Sequence, residues 1–176
     1  QKERRQGFIN NLGLVGALKR TEDDTVSNTD IYAQAEWQIG KTLNVMAGVR
    51  NSTVRFKSQD YFIAAGNGDD SGSVRYAKTT PVVGLTWKVT PLISVYANSG
   101  RGFETPTFAE LAYRPVGTGL NFGLAPSTSQ HKEAGIKALI GDHGRVNAAL
   151  FRIDTVNEIV TNSNTGGRSD FKNSPG

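Results

Sequence analysis

In Thr29-Asp30-Ile31-Tyr32-Ala33-Gln34-Ala35-Glu36-Trp37-Gln38-Ile39, the residues Ile31, Ala33, Ala35, Trp37 and Ile39 alternate with Tyr32, Gln34, Glu36 and Gln38. A repeat of two is the side-chain period of an extended strand, so one face is apolar and the other hydrogen-bonding. The apolar side chains are modest in size, which suits a strand with a greasy medium on one side and water on the other. Leu43, Val45, Ala47 and Val49 repeat the pattern against Asn44, Met46, Gly48 and Arg50. Only Gly40-Lys41-Thr42 separates the two runs, which predicts a hairpin.

Working outward, Val83, Leu85, Trp87 and Val89 alternate with Val82, Gly84, Thr86 and Lys88, and Thr90-Pro91 turns the chain into Ile93, Val95 and Ala97. A third pair sets Ala134, Ile136, Ala138 and Ile140 against Glu133, Gly135 and Lys137, turns through Gly141-Asp142-His143-Gly144, and returns through Val146, Ala148 and Leu150. A weaker strand is expected from Phe8 to Leu18 and another beginning near Arg168, for about eight strands in all. These turns are short, whereas the connections from Lys57 to Ser73 and from Gly100 to Thr128 are long and rich in Gly, Asn, Ser, Asp and Pro. Strict alternation of short and long connections is expected of an antiparallel up-and-down transmembrane β-barrel, with tight periplasmic turns and long external loops. A soluble sandwich shares the strand period, but nothing in its physics makes every second connection long.

Composition agrees. The 176 residues leave room for one domain, and a hydrophobic content of 37% suits an architecture with many polar inner positions. Twenty glycines and six prolines disfavour long helices, and no apolar run approaches the ~20 residues of a membrane helix. The formal charge of +4 comes from scattered basic residues, so no nucleic-acid partner is expected. With no cysteine there is no disulfide and no thiolate chemistry. Neither end reads as a natural terminus, and the chain is expected to be a segment of something longer. Trp37 and Trp87 each lie on the apolar face three residues before a short turn, a depth at which an indole buries its ring in acyl chains and leaves its N–H among headgroups.

Four stretches carry a family resemblance. Tyr96-Ala97-Asn98-Ser99-Gly100-Arg101-Gly102-Phe103-Glu104-Thr105-Pro106-Thr107-Phe108-Ala109-Glu110-Leu111 resembles the barrel motif of TonB-dependent outer-membrane receptors, a strand leading into a long external loop. Tyr32-Ala33-Gln34-Ala35-Glu36-Trp37 with Gly48-Val49-Arg50, Glu133-Ala134-Gly135-Ile136-Lys137, and Phe151 through Glu158-Ile159 followed by Phe171-Lys172-Asn173 are similar to further family strings in the family's order. The resemblance implies a 22-stranded barrel of which residues 1–176 form a part. No plug domain, TonB box or C-terminal aromatic strand is recognised in the segment. It also implies residence in the outer membrane of a Gram-negative bacterium, and uptake of a small ligand, a ferric siderophore above other metal chelates. TonB is implied as a partner through a region outside this segment, and outer-membrane lipid as the surrounding medium. It implies no enzymatic activity and no cofactor. Two alternatives stay open: a complete eight-stranded barrel serving as anchor or adhesin, and a soluble β-sandwich binding module.

Ligand-binding candidates lie in the long connection: Arg101, Glu104, Tyr113, Arg114 and Phe122. Arginine clamps anions bidentately and aromatic rings stack on planar chelates. Against this, Gly102 to Thr107 is equally read as a backbone-shaping strand exit, with Glu104 pairing beside its neighbouring strand. Asp69 and Asp70 lack the spacing of a calcium loop and read as a solvated tip. Gly100-Arg101-Gly102 lacks the third glycine and the helix of a dinucleotide fingerprint. Ser129, His131 and Glu133 align on one strand face about 6.6 Å apart per step, too far, on that spacing, to hydrogen-bond as a triad. His131 and His143, at opposite ends of that strand, lie about 40 Å apart and cannot share a metal.

Overall fold

A computed structural model describes residues 1–141 and 144–175; Asp142 and His143, and with them part of the expected Gly141–Gly144 turn and the spacing of the two histidines, fall outside the described residues. The elements are β1 (Lys2–Asn11), β2 (Leu14–Ile39), β3 (Leu43–Asp60), β4 (Gly72–Lys88), β5 (Ile93–Glu104), the single-turn α1 (Phe108–Leu111), β6 (Ser127–Ile140), β7 (Gly144–Val156), β8 (Ile159–Thr165) and β9 (Arg168–Asn173). The first seven strands pair in chain order as an all-antiparallel, up-and-down half-barrel, and β8–β9 is a separate hairpin. Against the expected count of about eight, the described residues form nine strands, seven of them in the wall.

Register explains why the alternation matters. Trp37, Val45, Leu85, Ala97, Ala134 and Leu150 stand side by side across six strands, and Ile39, Leu43, Trp87, Val95, Ile136 and Ala148 form the next row. On the opposite face, Gln38, Asn44, Thr86 and Tyr96 make a polar row that continues through the small Gly135 and Ala149. Trp37 is 53% exposed, Leu85 43% and Ile136 39%, so the apolar rows meet no protein core. Across a β-sandwich those side chains would face one another and be buried, which removes that alternative. In hydrocarbon a sheet must close to leave no unpaired backbone group, which is the physical demand that a barrel meets.

Three sequence expectations require correction. The weak strand from Phe8 to Leu18 is a hairpin, broken at Leu12-Gly13, where both residues take positive φ (53° and 92°). That tight turn lies at the end of the sheet opposite Gly40-Lys41-Thr42, so short and long connections do not alternate strictly. The chain spends the length beyond a bilayer crossing as strand, β2 running 26 residues where ~9 to 11 cross a bilayer. For the same reason the long connections shrink to residues 61–71 and 105–126, because Lys57–Asp60 and Gly100–Glu104 remain in strands.

The protein core lies at that far end. Phe56, Tyr76, Leu111, Leu120 and Leu124 are buried together, with Val26, Val54, Val74, Phe103, Phe108, Phe122, Ile159 and Phe171 against them. Phe56 meets Tyr76 and Phe108 edge to face, at centroid distances of 6.1 and 5.0 Å. Residues 105–126 thus fold inward onto the end of the wall.

Candidate functional site

The inward fold of residues 105–126 is set locally. Pro106 is fully buried, Thr107 caps α1, and the capping box closes reciprocally. Thr107 Oγ1 accepts from the Glu110 N–H at 3.3 Å, and the Glu110 carboxylate accepts from the Thr107 N–H at 2.7 Å. This box drives Leu111, 0% exposed, into the core. The Tyr76 hydroxyl donates to the Leu124 carbonyl at 2.8 Å and ties the returning limb to β4. The β8–β9 hairpin then docks on the same limb: the Ala125 N–H donates to Asn173 Oδ1 at 2.8 Å, and Asn173 Nδ2 donates to the Ala125 and Asn157 carbonyls, each at 2.9 Å. Two segments distant in sequence become one cap.

Against the cap, three strands converge on one ring. The guanidinium carbons of Arg5 (β1), Arg20 (β2) and Arg168 (β9) lie 5.3, 5.5 and 5.4 Å from the Tyr113 ring centroid, within cation–π range. Glu22, its side chain 3% exposed, lies 3.3 Å from Arg5 and 3.8 Å from Arg20, and the buried carboxylates of Asp24 and Asp60 are its acidic neighbours. Burial pushes the Glu22 carboxyl above its ordinary range; Arg20 opposes this, Asp24 adds to it, Arg5 opposes it, and Asp60 adds to it. Arg20 and Glu22 share strand parity with Tyr32, Gln34 and Glu36, so the cluster belongs to the polar, inner face.

The five loop candidates are therefore not one site. Tyr113 holds the centre of the arginine cluster. Arg114 donates from Nε to the Leu120 carbonyl at 2.8 Å and braces its own loop. Phe122 is packed against the core and lies so close to Gly72 that a Cβ there would sit 2.6 Å from Cε2, leaving glycine as the residue that fits. Arg101 and Glu104 lie in β5, not in a loop; Glu104 pairs in register with Ser127, the strand-edge role considered for it. Arg101 borders an open inner groove of about 600 Å³ with Asp30, Tyr32, Arg50 and Pro81, where Arg50 Nη2 and Asp30 Oδ2 approach to 2.8 Å. Trp37 and Trp87 stand exposed on the outer face above their turns.

Arg5, Arg20, Glu22 and Arg168 were not legible as site residues, since 55 positions separate Tyr113 from Arg168 and no local spacing joins them. A further correction concerns Ser129 and His131. Their Oγ and Nε2 are 2.8 Å apart, because side chains lean along a strand and close a gap that the backbone rise alone leaves open. Glu133 takes no part. It accepts from the Tyr96 hydroxyl, so the dyad has no acid behind it.

The same contacts give the Glu133-x-Gly135-x-Lys137 string its physical meaning. All three residues wrap Tyr96: Glu133 accepts a hydrogen bond from its hydroxyl, a Cβ at Gly135 would collide with the ring at 2.6 Å, and Lys137 Nζ lies 5.1 Å from the ring centroid. Among the described residues no group of three His, Cys, Asp or Glu side chains is placed to hold a metal ion.

Residues 2–175 match the family model for the TonB dependent receptor-like β-barrel. The chain belongs to that family. Solved structures of similar fold include the copper transporter OprC (16% identity, TM-score 0.68, 89% of this chain on 24% of that one). A second is a double mutant of the Serratia marcescens hemophore receptor HasR in complex with HasA and heme (13%, 0.67, 89% on 30%). A third is the alcaligin outer-membrane receptor FauA from Bordetella pertussis (22%, 0.57, 89% on 26%). The chain spans less than a third of each.

Proposed function

We propose that residues 1–176 are part of the barrel domain of an outer-membrane TonB-dependent receptor in a Gram-negative bacterium, supplying wall and external cap. The receptor takes up a small ligand, a ferric siderophore above a copper chelate or haem. It works by binding and conformational change rather than by bond chemistry, with TonB engaged through a region outside this segment. One observation carries the reading: continuous apolar rows face outward across six strands while the inner face is polar and folded loops narrow its far end. A lipid-facing wall with a wet lumen needs that division, and a mouth that selects small ligands needs the second feature.

The test is uptake by the full-length receptor in a Gram-negative host, using iron-55 loaded on a panel of siderophores with copper-chelate and haem arms. Uptake of at least one ferric siderophore that disappears without TonB and falls at least tenfold on deletion of residues 105–126 is expected. Recovery of the receptor outside the outer-membrane fraction, or accumulation indifferent to TonB, would overturn the reading; uptake confined to copper or haem would replace the siderophore alone.

A further inference from the structure

On the outer face, above the apolar rows, β3 and β4 carry charge of one sign. Arg55 and Arg75 stand directly opposite each other in register, and Lys57 is the next outward residue on β3. All three are exposed, while Phe56, Ser58 and Tyr76, which alternate with them, are buried on the inner side. Like charges facing each other across a ladder repel, so the pair costs the sheet unless an anion lies beside it. The chain itself supplies none. The outward neighbours in register are Ser27, Thr25 and Ser73, and among the described residues no carboxylate lies within ion-pair distance of the three cations. Asp23, the one outward acid of β2, is held by Lys2 at 3.0 Å and stands opposite Arg4, so the excess of positive charge continues toward β1. Glu22, Asp24 and Asp60 are buried and share the parity of the inner face.

Height along the strands identifies the medium these cations meet. Val49 is the last apolar outward residue of β3, and Arg55 lies six residues further on, with Arg75 across from it. At ~3.3 Å per residue on a strand tilted about 40°, that is about 15 Å above the apolar rows. The long stems of arginine and lysine reach back from there toward the bilayer surface. We propose that Arg55, Lys57 and Arg75 form a docking site for the phosphate groups of a phosphorylated glycolipid in the outer leaflet. Guanidinium forks donate bidentately to phosphate oxygens, and a basic cluster beside a bilayer draws anionic headgroups to it. The cluster stands on the lipid side of the wall, in line with Val45 and Val49, whereas a diffusing ligand travels along the inner face. That placement selects a lipid phosphate over a free one. The site rests on the receptor reading only for the membrane that surrounds it.

The experiment measures binding of fluorescent lipopolysaccharide to the purified full-length receptor, at low and high salt, with the same glycolipid after enzymatic dephosphorylation and inorganic pyrophosphate as separate arms. The double variant Arg55→Gln, Arg75→Gln is expected to bind the phosphorylated glycolipid about tenfold more weakly than the parent and with a smaller salt dependence. Without glycolipid it should unfold no earlier than the parent, because a repelling pair has gone. Arg55→Lys with Arg75→Lys keeps the charge and should bind like the parent, as should Lys41→Gln in the turn at the opposite end of the sheet. Equal binding by the parent and the glutamine variant, or binding that dephosphorylation leaves unchanged, sinks the proposal, and so does a lysine variant that binds no better than the glutamine one. Pyrophosphate that displaces the glycolipid at comparable concentration overturns the lipid assignment in favour of free phosphate. TonB-dependent uptake by the parent decides the receptor reading separately: uptake without phosphate-dependent binding sinks the docking site alone, and phosphate-dependent binding without uptake sinks that reading alone.

Discussion

The lower wall and the external cap are built on opposite principles. In the wall, β2 to β7 present Trp37, Leu85 and Ile136 outward and bury almost nothing against protein, so its stability depends on the medium outside and the ladder within. In the cap, Phe56, Leu111 and Leu120 form a conventional core, and side-chain hydrogen bonds such as those of Asn173 replace the regular ladder. The same strands serve both: β3 contributes Val45 to the lipid-side row and, eleven residues on, Phe56 to the core. The odd spacing sets the two on opposite faces: along one strand the apolar side chains move from the lipid side to the inner face that the loops cover, and the period of two is kept.

The comparison breaks most sharply at the core. Phe56→Ala removes the ring that meets both Tyr76 and Phe108 and is expected to cost the cap about 3–5 kcal/mol. Limited proteolysis of the full-length receptor should then cut within residues 105–126, while the wall keeps its resistance to detergent unfolding. Equal loss of both would show that cap and wall are one cooperative unit. The converse change, Leu85→Arg, places a charge in the outer row and is expected to cost the wall about 2–4 kcal/mol, read as a lowered unfolding midpoint in phospholipid vesicles. Its cap should keep the protease pattern of the parent.

The smallest effect is a pH response confined to the cap. Asp170 accepts from Asn162 Nδ2 at 2.9 Å and from Ser163 Oγ at 2.6 Å, and these donors hold its carboxyl below the ordinary 3.8. A depressed value means stability present above that range and lost as pH falls through the folded value. Protection of the β8–β9 amides, taken relative to the intrinsic exchange rate at each pH, should therefore fall in acid, and Asp170→Asn should flatten the response. Glu22, raised above 4.5 chiefly by burial, runs the other way: its contribution is present below that value and is lost as pH rises through the folded one. Glu22→Gln should remove this second, opposite slope from exchange around β1 and β2.

Much of the wall was readable without coordinates. The alternations Ile31–Ile39, Leu43–Val49 and Ala134–Ile140 report face by face which side of the strand meets which medium, and short turns such as Gly40-Lys41-Thr42 leave little freedom in register. The first hairpin escaped notice because Leu12-Gly13 interrupts a polar, weakly alternating run. The cap was half legible. Thr107-x-x-Glu110 folds as a capping box that was not singled out in the sequence, while the same loop's Arg114 bonds the Leu120 carbonyl and Phe122 packs on the core.

Strand period, facing and turn placement are local properties, written into neighbouring residues by sterics and by the contrast between lipid and water, and the sequence alone determined them. The meeting of Arg5, Arg20 and Arg168 at Tyr113 was decided only by tertiary structure. It depends on closing loops over more than a hundred residues and on the docking of one hairpin against another segment's carbonyls, and no repeat along the chain encodes a contact of that range.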